Sequence, residues 1–144
     1  MESGFAYGKD ELMAHAVATI GTTDWATTVV AGRHSLVADE PPALGGQDAG
    51  PAPYDLLLAS LGACTAITLR MYAKRKGWAL NAVEVDLKHY KDADRSKIER
   101  VLHLTGDLDA DQRARLADIA ERTPVTRTLK AGADIATSLA EAAA

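Results

Sequence analysis

Residues 53–77, PYDLLLASLGACTAITLRMYAKRKG, constrain this chain more than any other segment. A proline opens the run, where its missing N–H is not needed, and Asp55 falls in the first turn, where the helix dipole favours negative charge. Arg70, Lys74, Arg75 and Lys76 gather at the far end before Gly77, as a helix C-terminus favours. The pattern therefore predicts one long helix from Pro53 to the glycine. Leu56, Leu57, Leu58, Leu61, Ala63, Cys64, Ile67, Leu69 and Met71 wrap well beyond one stripe, so the helix is expected to be buried on most sides. Leu57, Leu61, Cys64 and Thr68 follow helical spacing and share a face.

Ahead of this helix, residues 12–20 and 25–32 read as a hairpin, with Val and Thr suited to a pleated surface, and residues 33–39 as a third short strand. The Pro- and Gly-rich stretch EPPALGGQDAGPAP then carries the chain as a loop to the helix. Beyond the helix, Val83, Val85, Leu87 and His89 alternate with Glu84, Asp86 and Lys88, which predicts a half-buried strand. A charged turn, KDADRSK, joins it to a second strand in IERVLHLTG. DADQRARLADIAERT opens on an acidic cap and sets Leu116, Ile119 and Ala120 on one side of a short helix. PVTRTLKAG reads as a Pro-initiated turn or short helical piece, ADIATSL as a last strand, and the final AEAAA as a frayed tail. Strands, long helix, strands, helix and strand make an α+β chain, not an alternating βαβ one.

A chain of 144 residues fits a single domain, 1–144, with its core at about 12–139. Its net charge of -4 gives no polyanion-binding footprint, so nucleic acid is not an expected partner. MESGFAYGKD lacks the basic start and apolar stretch of a secretory signal, and no apolar run reaches the length needed to span a bilayer. The expectation is a cytoplasmic protein without a membrane partner.

The single cysteine, Cys64, excludes an intrachain disulfide and a multi-cysteine metal site. Two readings stand open for it: a small hydrophobe packed in the core, or a reactive thiol in an electropositive, partly exposed setting. It sits too far into its helix for the N-terminal dipole to help, so a cation would have to come from the fold, with Arg33 and Arg127 as candidates. The four histidines, His15, His34, His89 and His103, are scattered without ligand spacing, and no metal or other cofactor is expected. LGGQDAG lacks the lysine and strand–turn–helix context of a phosphate loop. Asp39, Glu40 and Asp55 read first as cap, turn or solvated residues, ahead of acid–base groups.

Taken together, GRHSLVADEPPALGGQDAGPAPYDLLLASLGACTAITLRMYAKRKGWAL, VEVDLKHYKD and IERVLHLTGDLDADQRARLADIAERTPVTRTL resemble the OsmC/Ohr family of osmotically inducible and organic hydroperoxide resistance proteins. The resemblance implies an intertwined homodimer, antiparallel sheets around central helices, and sites at the subunit interface. It also implies a peroxide-reducing cysteine on the central helix, which maps onto Cys64. The family's second cysteine, in a CPV motif, maps onto Thr123 of TPVTRTL, which cannot form a disulfide. The family's glutamate falls on Tyr54, with Asp55 adjacent, and the early arginine region reads GTTDW. The implied activity is thiol-dependent reduction of organic hydroperoxides by one cysteine, restored by an external thiol reductant. Tyr54, Leu57, Leu61 and Ile67 are candidates to line an apolar pocket. The alternative is a non-catalytic binding protein for a small apolar or lipid-like ligand.

Overall fold

A computed structural model describes residues 10–142. Residues 1–9 of the MESGFAYGKD stretch read for a signal, and the last two residues of the tail, lie outside the described residues. The order of elements is β1 (Ala16–Thr19), β2 (Thr27–Ala31), β3 (His34–Ala38), a 3₁₀ turn (Pro42–Leu44), α1 (Pro53–Lys76), β4 (Ala82–Asp92), β5 (Arg95–Thr105), α2 (Ala110–Ala120) and α3 (Pro124–Ala131). The fold is α+β with two antiparallel sheets and one long helix, as expected. Its contacts form two compact units, Met1–Leu56 and Leu57–Ala144.

In the first unit β1, β2 and β3 form an antiparallel meander, with Val17 opposite Val30 and Val29 opposite Leu36. The Pro/Gly loop that follows is tightly organised. Asp39 is only 3% exposed, and its carboxylate accepts N–H bonds from Glu40 at 2.8 Å, Gln47 at 3.2 Å and Ala49 at 3.1 Å. These bonds, that to Ala49 foremost, outweigh burial and hold the Asp39 carboxyl below its ordinary range. Two glycines let the loop close: a Cβ on Gly46 would stand 1.9 Å from the Glu40 carbonyl oxygen, and one on Gly50 1.8 Å from that of Val37.

In the second unit β4 and β5 form a long hairpin whose register pairs Val83 with Leu104, Val85 with Leu102, Leu87 with Arg100 and His89 with Ile98. Period-two alternation puts those eight residues on one half-buried face. The face meets α1, since a Cβ on Gly62 would lie 2.8 Å from Leu87 Cδ1. Asp109 caps α2 through a reciprocal bond pair with Gln112. Leu69, Ala73, Leu80, Leu116 and Ala120 make the buried core, with Tyr72, Trp78, Val83, Leu102 and Ile119 packed against it. Burying Leu69 alone is worth about 2 kcal/mol of apolar transfer.

Four expectations are corrected. The turn between β4 and β5 is reduced to Ala93 and Asp94, because the ladder runs through most of KDADRSK, Asp92 pairing with Arg95. Residues 133–139 form no strand: no neighbour offers them a ladder, and Ile135 and Leu139 stay exposed. The helix α1 is buried along one stripe, Leu61, Thr65, Leu69 and Ala73, instead of on most sides, because the hairpin and the shorter helices meet only that side. Ile67 and Met71 remain 54% and 61% exposed. Finally, α1 is long and apolar enough, by length and composition, to cross a membrane, contrary to the reading that no run reaches that length.

Candidate functional site

The chain reaches Cys64 through a helix start that is only half capped. Ala52 has no side-chain oxygen to offer, but Asp55, three residues on, accepts the Ala52 N–H at 3.1 Å. Asp55 therefore serves the helix terminus, in the first turn where the sequence put it. Cys64 lies mid-helix and is half-buried. Of the expected pocket residues, Leu61 is 5% exposed in the packed stripe, Leu57 is half-buried, and Tyr54 and Ile67 are exposed.

The residue after Cys64 anchors a buried polar cluster. Thr65, fully buried, donates its hydroxyl proton to the Leu61 carbonyl at 2.7 Å and accepts from Arg100 Nη1 at 2.9 Å. The same nitrogen donates to Thr126 Oγ1 at 2.9 Å, and Arg100 Nη2 donates to the Ala120 carbonyl at 2.9 Å. Thr126 Oγ1 lies 2.6 Å from Thr123 Oγ1, and Thr123 is fully buried. One guanidinium thus joins α1 to the α2–α3 corner. Its planar fork suits this task, because the acceptors lie in several directions at fixed angles.

Charge within the cluster is incompletely balanced. Arg100, with a side chain 11% exposed, has Glu121 at 3.6 Å as its acidic neighbour, while Glu121 also takes a 2.6 Å bond from Lys130. The Lys130 bond, with a smaller contribution from Arg100, holds the Glu121 carboxyl below its ordinary value against the opposing effect of burial. Two cations share one carboxylate. Among the described residues no buried side-chain nitrogen or oxygen lacks a partner, and no three metal-ligating side chains converge.

The sequence-predicted residues are thus only partly assembled. Thr123, expected from the resemblance to stand where the family has its second cysteine, is the N-cap residue of α3 and belongs to the cluster through Thr126. Arg127 is exposed on α3. Arg33 is exposed in the turn between β2 and β3. Within the second unit, Arg100 donates to Thr65 in the turn of α1 that carries Cys64, and sequence reasoning missed it. The signal was available, for Arg100 occupies an inward position of β5 between Ile98 and Leu102, where a charge demands partners.

In the first unit, a cavity of about 290 Å³ is lined by Ile20, Trp25, Thr27, Ala38, Asp39, Glu40 and Pro53. Its walls are mainly apolar, and Asp39 and Glu40 are the acidic residues among them. Cys64 does not line it.

The OsmC-like protein family profile matches residues 45–138, well over half of the chain and including Cys64 and the whole Arg100 cluster. Solved structures share the fold. An OsmC-like protein from Mycoplasma pneumoniae is 17% identical with a TM-score of 0.72, covering 84% of this chain and 89% of its own. An organic hydroperoxide resistance protein from Legionella pneumophila is 24% identical with a TM-score of 0.61, covering 85% and 92%. The organic hydroperoxide resistance protein OhrB of Bacillus subtilis is 23% identical with a TM-score of 0.58, covering 83% and 91%. No curated protein matches the chain.

Proposed function

Because the chain belongs to the OsmC-like family, we propose that it reduces organic hydroperoxides in oxidative-stress defence, using Cys64 as its one catalytic cysteine. The observation that carries this reading is a half-buried thiol on α1, inside the segment matched to the family and one residue from an anchored arginine cluster. Similar solved structures bear organic hydroperoxide resistance names, which supports the same activity.

In the proposed reaction the Cys64 thiolate attacks the distal oxygen of ROOH. An S–O bond forms as the O–O bond breaks, the leaving alkoxide takes a proton to become ROH, and sulfur is oxidised by two electrons to the sulfenic acid. An external thiol then attacks that sulfur, water leaves, and a mixed disulfide forms. A second external thiol releases Cys64 as the thiol and departs in a disulfide with the first. Thr123 cannot replace the external thiol, since its hydroxyl cannot form the disulfide.

The exposed apolar side of α1, with Ile67 and Met71, supports an intertwined homodimer in which a second copy covers that side. Leu57, Leu61, Ile67 and Tyr54 are proposed to line the alkyl pocket, which would favour a greasy hydroperoxide over hydrogen peroxide by apolar burial. Asp55, Arg33 and Arg127 are proposed supporting groups, and the proposed location is cytoplasmic. A second reading, a binding protein for a small apolar or lipid-like ligand, draws support from the 290 Å³ cavity that Cys64 does not line.

The test is intact mass after one equivalent of cumene hydroperoxide with a sulfenic-acid trap, beside Cys64→Ser. Trapped adduct and peroxide loss that both require Cys64 uphold the reductase. An unmodified thiol in the folded protein favours the binding reading.

A further inference from the structure

We propose that Arg100 is a positioning residue for Cys64, acting through Thr65. This rests on the reading of Cys64 as the reactive thiol and adds a residue that the sequence patterns do not assign. The family's arginine is expected after the first strand, whereas Arg100 stands on β5.

The rotation and axial position of α1 are set by the side chains that meet its covered face, and α1 is buried along one stripe. At Thr65 that stripe carries a hydroxyl engaged on both sides, accepting from Arg100 Nη1 at 2.9 Å and donating to Leu61 O at 2.7 Å. Thr65 and Cys64 are consecutive, so the bond that fixes one fixes the backbone carrying the other. The same Nη1 also donates to Thr126 Oγ1, and the guanidinium's other terminal nitrogen, Nη2, donates to the Ala120 carbonyl, each at 2.9 Å. The anchor therefore runs from the α2–α3 corner, through one rigid plane, to the turn that presents the thiol. Lysine could not reproduce it, because a single ammonium does not span these acceptors with a planar fork. Nor is burial of a cation here a packing convenience, since an inward charge between Ile98 and Leu102 costs desolvation that an apolar residue would avoid.

The experiment measures two rates at Cys64, oxidation by cumene hydroperoxide and alkylation by iodoacetamide, in folded wild type, Arg100→Met, Arg100→Lys, Thr65→Val and Thr65→Ser. Leu116→Ala, in the apolar core and with no side-chain hydrogen bond to lose, controls for general destabilisation. Loss of positioning predicts that Arg100→Met, Arg100→Lys and Thr65→Val slow oxidation about tenfold or more and change the alkylation rate measurably, while Thr65→Ser and Leu116→Ala stay within about twofold of wild type. The proposal is overturned if Arg100→Met and Thr65→Val match wild type in both rates, or if Leu116→Ala slows the thiol as much as they do. Should the wild-type thiol ignore the hydroperoxide while its alkylation still depends on Arg100 and on the Thr65 hydroxyl, the reductase reading fails and the positioning role stands.

Discussion

Replacing Thr126 separates packing from polar satisfaction in the Arg100 cluster. Thr126 is 5% exposed and Thr123 is fully buried. Thr126→Val keeps the volume and removes the hydroxyl that accepts from Arg100 and meets Thr123. Arg100 Nη1 retains Thr65, but the Thr123 hydroxyl loses the side-chain partner shown for it. An orphaned buried hydroxyl costs about 1–3 kcal/mol, and a lost bond to a charged donor adds to it, so a total of about 2–3 kcal/mol is expected. Thr126→Ser instead keeps the hydroxyl and deletes one methyl, costing about 1 kcal/mol. The conservative-looking valine is therefore the worse substitution, by about 1–2 kcal/mol. Urea unfolding followed by far-UV circular dichroism, at one protein concentration, reads this as a midpoint lower for valine than for serine by roughly 0.5–1 M, given typical slopes. A valine variant as stable as the serine variant would show that the cluster's hydrogen bonds add nothing beyond shape.

Other consequences are open to measurement. Leu69→Ala removes a fully buried side chain from the core and should cost about 2–5 kcal/mol in the same urea assay, a loss under about 1 kcal/mol arguing against the core assignment. Gly50→Ala puts a Cβ 1.8 Å from the Val37 carbonyl oxygen, so soluble yield or thermal midpoint should fall sharply, and an unchanged midpoint counts against the loop's path. Asp39 gives a pH signature whose sign follows from its depressed carboxyl: the stabilisation is complete above the unfolded value near 3.8 and fades as pH falls through the lower folded value. Wild type should therefore lose stability between the two values, Asp39→Asn should lose less there, and equal acid slopes would contradict the three N–H bonds. Cys64→Ser should retain the fold, by circular dichroism, while peroxide consumption disappears.

How much the sequence discloses depends on whether a residue's partners are near it in the chain. Proline, acidic first turn and basic last turn place α1 within its observed ends, because capping and dipole effects act over one turn. The alternation of Val83, Val85 and Leu87 locates β4 for the same local reason. Arg100 escapes notice because its acceptors, Thr65, Ala120 and Thr126, are distant in sequence, and only the inward register hints at them. Asp39 reads as a turn or surface residue, yet Gln47 and Ala49 fold back onto it, a closure set by glycines whose role appears only once Glu40 and Val37 are seen to touch them. The segment 133–139 fails in the opposite direction, since its apolar residues suggest a strand but a strand requires a ladder partner.

The loop pinned by Asp39 has a practical meaning for protein engineering. By composition it is where one would insert a peptide tag, a fluorophore linker or a permuted terminus, for Pro/Gly stretches are usually forgiving. Here two glycines abut backbone carbonyls and one carboxylate gathers amides from both ends of the loop, so added residues would break a closed ring of contacts instead of lengthening slack chain. The tip of the β4–β5 hairpin, at Ala93 and Asp94, is the better place to graft: both residues are exposed, and neither contributes a pair to the ladder.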